Sequence, residues 1–133
     1  MACFLRVSGE YFDVDTACKT LKLNPKKIWR KGQPRYKSNP EKLNEWSGLN
    51  IEVSNAEFNE FDKQKNDCLE FIDNQSEILK RLSTYQGVEL FLVDFGIEWR
   101  DVAVQSDYFS PELIGALAKV GLGLELSQYP PEE

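Results

Sequence analysis

Hydrophobic and polar residues alternate from the first positions of the chain, as a strand with one buried face requires. In Ala2–Gly9, Cys3, Leu5 and Val7 point one way while Phe4 and Arg6 point the other. The period then lengthens. Val14, Ala17, Cys18 and Leu21 form an apolar stripe that predicts a helix, with Asp13 or Asp15 as its cap and Asn24–Pro25 as its stop. Tyr11 and Phe12, just before it, suit a hydrophobic staple. From Ile28 to Ser47 neither period holds, and Gly32, Pro34 and Pro40 argue against a long element. Alternation returns in Ser47–Asn55, where Leu49, Ile51 and Val53 share a face.

Residues 56–84 carry the clearest helical period. Phe58, Phe61, Lys65, Cys68, Ile72, Gln75, Leu79 and Leu82 recur every three to four positions, Leu69 and Ile78 widen the stripe, and Gly87 follows. One long amphipathic helix is predicted. Val88–Ile97 is apolar on both faces and predicts a central strand. Trp99–Ser106 alternates and is expected to pair with it as a hairpin across Gly96–Glu98. Ser110, Pro111, Glu112 and Gly121 frame a short helix, Leu122–Tyr129 reads as a last strand, and Pro130–Glu133 as a frayed tail. Together these predict an α+β fold. A mostly antiparallel or mixed sheet packs against one long and one or two short helices, all within a single domain, 1–133.

Composition removes several chemistries. The chain has no histidine, so imidazole-dependent nucleophilic and zinc mechanisms are excluded, and no loop supplies an all-oxygen metal site. Cys3, Cys18 and Cys68 are odd in number and sit in apolar contexts, which reads as reduced core thiols. No apolar run reaches the roughly 20 residues of a membrane span and no leader pattern opens the chain, so a cytoplasmic protein is expected. Neither an enzyme nor a cofactor is expected from this inventory.

Charge divides the chain. Residues 1–42 hold ten Lys/Arg against four Asp/Glu, whereas residues 43–133 hold six against eighteen. The basic part is densest in KKIWRKGQPRYK, residues 26–37, where six cations and two aromatics sit without an acid. Eight cations between residues 19 and 37 would suffice to grip a phosphate backbone, yet the acidic remainder repels one and no stacking module is recognisable. Nucleic acid and anionic membrane are therefore not expected as partners. An anion site at Arg30, Lys31, Gly32 and Arg35 is the alternative, since a glycine beside cations lets backbone N–H groups approach an oxyanion. The plainer reading makes the segment scaffold. Ile28 and Trp29 plug the sheet edge, with Trp29 largely buried, while Arg30 and Lys31 pair with the acidic helix or strand opposite.

The acidic part offers a second kind of site. Glu60 and Asp67 lie on the polar face of the predicted long helix, where a solvated surface is the ordinary explanation and a docking face the functional one. Asp94, Glu98 and Asp101 flank Trp99, an arrangement that suits a protein-binding hot spot, against the rival reading of Trp99 as core.

The order of motifs also resembles a known family. FLRVSGEYFDVDTACKTLKLNPKKIWRKGQPR, EWSGLNIEVS, the helix before GVELFLV, and FSPELIGALAKVGLGLELSQY together resemble domain-of-unknown-function family 4279. The segment Glu98–Asp107 departs from it, being longer and more polar. The resemblance implies a shared fold and a bacterial source but no activity. Two functions are thus expected. The first is a small acidic immunity-type protein that neutralises a basic toxin such as a nuclease, binding it through Glu60, Asp67, Asp94, Glu98, Trp99 and Asp101 with electrostatically steered association. The second is a small-ligand or anion-binding domain built on the basic neck. A monomer is the working expectation.

Overall fold

A computed structural model describes residues 1–131; the end of the tail expected at Pro130–Glu133 lies outside the described residues. The elements run β1 (Cys3–Gly9), α1 (Val14–Leu21), β2 (Lys27–Trp29), β3 (Pro34–Tyr36), β4 (Asn39–Leu43), β5 (Ser47–Ser54), α2 (Phe61–Asn74), α3 (Ser76–Ser83), β6 (Leu90–Glu98), α4 (Pro111–Lys119) and β7 (Gly123–Tyr129). Five strands form one sheet in the order β2-β5-β1-β6-β7, and β3 and β4 form a separate two-stranded hairpin. Only β6 and β7 run parallel, with α4 as their crossover; the other pairs in the sheet are antiparallel. The fold is α+β with a mixed sheet, as the periodicities predict.

Register explains why one face holds the core. Leu5 stands opposite Ile51 and Val93, and Val7 opposite Leu49 and Phe91, so the odd positions of β1 sit in one apolar layer. Cys68 and Ile72 of α2, Leu79 and Leu82 of α3, and Leu113 and Leu117 of α4 close over that layer. The caps are those the sequence offers. Asp13 accepts a hydrogen bond from the Thr16 N–H, and Ser110 accepts one from the Leu113 N–H. Of the staple pair, Phe12 is buried edge-on against Tyr85 while Tyr11 is exposed. All three thiols are free, and Cys3 and Cys68 are fully buried.

Three expectations need correction. The long helix is two helices, broken at Gln75, which takes φ −115°. Asn74 and Ser76 flank the break, and both side-chain types compete with the helical backbone for hydrogen bonds. Helix α2 also starts at Phe61, so its inward residue is Gln64 rather than Lys65, whose ammonium lies 4.4 Å from the Phe61 ring centre. Second, the Trp99–Ser106 strand does not exist. Strand β6 already has β1 and β7 on its two edges, and Gly96, expected in the turn, lies inside β6 and donates its N–H to the Ala2 carbonyl at 2.7 Å. Third, the irregular stretch after Ile28 contains three short strands, whose prolines sit in the exposed hairpin where a missing N–H costs little.

Candidate functional site

Helices cover only the odd face of the sheet. The other face carries Phe4, Arg6 and Ser8 of β1, Gly48 and Asn50 of β5, Asp94 of β6, and Glu125 and Ser127 of β7. At the β2 edge, the β3–β4 hairpin overhangs this face and leaves a groove of about 560 Å3. Strand β1 contributes Phe4 and Arg6 to its walls, β2 contributes Lys27 and Trp29, and β3 contributes Arg35 and Tyr36; Trp46 closes it from the β4–β5 connection. Trp29 is mostly but not fully buried. One edge of the indole lies on Gly48, where an added Cβ would come within 2.4 Å of a ring carbon, and the rest faces the groove.

The basic neck divides into spent and unspent charge. The Arg30 guanidinium grips Asp15 of α1 through Nε at 2.9 Å and Nη2 at 2.8 Å, which holds the Asp15 carboxyl below the ordinary carboxylate range. The Lys31 ammonium reaches Glu10 at 3.2 Å, and its backbone N–H donates to the Ser47 hydroxyl. Gly32, at φ 83°, donates its N–H to the Asn44 carbonyl, so it turns the chain into the hairpin. Of the anion-site residues expected from sequence, Arg30, Lys31 and Gly32 therefore hold the scaffold. Arg35 alone lacks a carboxylate partner among the described residues, as does Lys27 beside it in the groove.

Next to the groove lies a polar cluster that crosses three strands. Arg6 Nη2 bridges Asp94 at 3.0 Å and Glu125 at 2.8 Å, and the Ser127 hydroxyl donates to Asp94 at 2.7 Å. Burial pushes the Asp94 carboxyl above the usual range, with Glu125 adding to the effect and Ser127 and Arg6 opposing it. Asp94, expected as a docking residue, is thus turned onto the sheet and buried, 3% exposed.

The remaining acids fall near one another at the opposite edge of the sheet, with one exception. Asp67 accepts hydrogen bonds from the Ser54 hydroxyl at 2.6 Å and the Lys63 ammonium at 2.9 Å, an interaction that lowers its pKa and ties α2 to the end of β5. Glu60, Glu98, Trp99 and Asp101 share a different neighbourhood. The Glu98 N–H donates to the Phe58 carbonyl, and Glu60 lines a second cavity together with Arg100, Asp107 and Tyr108. The loop after β6 satisfies its own polar groups. Gln105 accepts from the Arg100 N–H and donates to the Glu98 carbonyl, while Arg100 pairs with Asp107 at 3.1 Å. Its apolar side chains then have nowhere to go: Trp99 is 54% exposed, Val104 78% and Tyr108 70%.

Sequence reasoning missed Arg6, Glu125 and Ser127; Arg6 and Glu125 are 119 positions apart and meet only through sheet order. It also missed Gln64, fully buried, whose amide donates to the Glu57 and Gly96 carbonyls and pins the chain before α2 against β6. Among the described residues no cluster of His, Cys, Asp or Glu could hold a metal ion, and no helix is long and apolar enough to cross a membrane.

A family model described as a domain of unknown function, DUF4279, matches residues 1–131. The chain belongs to this family. The match takes in β1 through β7, so the neck, the hairpin and the loop after β6 all lie within the DUF4279 domain. No curated protein and no solved structure matches the chain.

Proposed function

We propose that this DUF4279 protein is a non-catalytic binding module of the immunity type, docking a basic protein through the 99–108 loop and the acids around it. The observation that carries this reading is the loop itself: Trp99, Val102, Val104 and Tyr108 stand in solvent between Glu60, Glu98 and Asp101. Exposed apolar groups rimmed by charge mark a protein-binding surface better than either feature alone, and Trp and Tyr are the usual anchors. The balance of six Lys/Arg to eighteen Asp/Glu in residues 43–133 supplies the field that steers a cationic partner toward it. Asp67 and Asp94 leave the docking set, because their carboxylates are already bound within the fold.

The test is growth rescue and complex formation on co-expression with basic toxin domains, beginning with any that an adjacent reading frame encodes. Trp99→Ala combined with Glu98→Lys and Asp101→Lys abolishes both while the variant stays folded. Rescue that survives this triple substitution contradicts the surface.

A further inference from the structure

The groove on the helix-free face is distinct from that loop, at the other edge of the sheet, and its chemistry is of the opposite sign. Its size, about 560 Å3, falls in the range of small-molecule sites rather than of extended interfaces. Two of its cations, Lys27 on β2 and Arg35 on β3, form no ion pair among the described residues, and Glu45 is the one acid on the groove wall. Three rings border the same space: Trp29, seated on Gly48; Tyr36, 48% exposed; and Trp46, 36% exposed.

Each feature selects a part of the occupant. The free cations ask for an anion, and the guanidinium of Arg35 suits the several oxygens of a phosphate. Indole and phenol rings with an exposed side ask for a flat partner to stack on. We propose that the groove is a binding site for a small nucleoside-phosphate-type ligand, its phosphate held by Lys27 and Arg35 and its ring stacked among Trp29, Tyr36 and Trp46. The occupant is a single nucleotide unit and not a strand. The chain as a whole carries a net charge of −6, concentrated in residues 43–133, which opposes a longer polyanion.

Two of the three tryptophans border the groove, so their fluorescence reports occupancy, and Trp99→Phe removes the third. In that background, adenosine, guanosine and uridine monophosphates are titrated alongside inorganic phosphate, the free nucleosides and a ten-residue oligothymidylate. At least one mononucleotide quenches saturably and binds about ten-fold or more tighter than its nucleoside or phosphate alone, the gain expected when stacking and charge act together. Arg35→Ala and Tyr36→Ala, both at exposed positions, each weaken it by about ten-fold. Three results overturn the proposal: no saturable mononucleotide binding; phosphate as tight as any mononucleotide; or an oligonucleotide tighter per nucleotide than every mononucleotide.

Discussion

The groove at the β2 edge and the loop after β6 are both exposed, both aromatic and both charged, yet the chain builds them by different means. The groove stands on strand register. Phe4 and Arg6 face it because Leu5 and Val7 face the core, and Trp29 is held over Gly48 by the β2–β5 pairing. The loop forms no strand and is tied down at its ends, where the Trp99 N–H donates to the Tyr129 carbonyl and the Lys65 ammonium to the Tyr108 carbonyl. Its polar atoms close on one another through Gln105, Arg100 and Asp107, and its apolar atoms are left outside. A site on a sheet inherits the rigidity of the core beneath it; a site on a self-satisfied loop can be altered without disturbing the fold. The contrast predicts where substitutions hurt stability and where they hurt only binding.

The largest effect is expected in the shared framework. Leu5→Ala removes a side chain with no exposure from under the groove and costs about 3 kcal/mol in urea denaturation. A loss below about 1 kcal/mol would mean that β1 does not anchor the groove. Arg6→Ala comes next, at about 2 kcal/mol, because Asp94 is left buried without its cation. Trp29→Ala should cost about 2 kcal/mol, less than the about 3 kcal/mol of a fully buried aromatic, since part of the ring already meets the groove. Trp99→Ala is expected to change stability by less than about 0.5 kcal/mol while removing partner binding. Reversal of the last two values would exchange the roles of the two regions.

The acid limb of the stability curve separates them further. Asp94 has a raised folded pKa, so its folded state retains a proton that the unfolded chain has released; its contribution grows as pH falls from that raised value toward 3.8. Asp15 and Asp67 have lowered folded pKa values, so their contributions are present above 3.8 and vanish as pH falls through the folded values. Asp94→Asn removes the opposing contribution and should steepen the loss of stability on acidification. An unchanged acid limb would show that Asp94 does not hold a proton in the fold.

Periodicity made the frame legible. The alternation of Cys3, Leu5 and Val7 marks β1, and Ser110–Pro111 marks the start of α4, because burial and capping are local demands written in adjacent residues. The neck was legible in part: Arg30 and Lys31 do form internal ion pairs, but with Asp15 and Glu10 of the N-terminal part and not with the acidic region after residue 43. Strands of three residues such as β2 and β3 carry no period to detect, so the groove they border could not be foreseen. The alternation of Trp99–Ser106 was genuine but had no partner left, since sheet order had filled both edges of β6. Asp94 lies in an otherwise apolar run, and only the pairing of β1 with β6 shows that its partner is Arg6.

Amide shift mapping tests the central claim most directly, with the 15N-labelled protein titrated with the basic toxin domain that it rescues. The account predicts that shifts concentrate at residues 58–62 and 98–108, leaving residues 27–36 and 44–50 unmoved. Shifts confined to residues 27–36 and 44–50, with the loop silent, would contradict it.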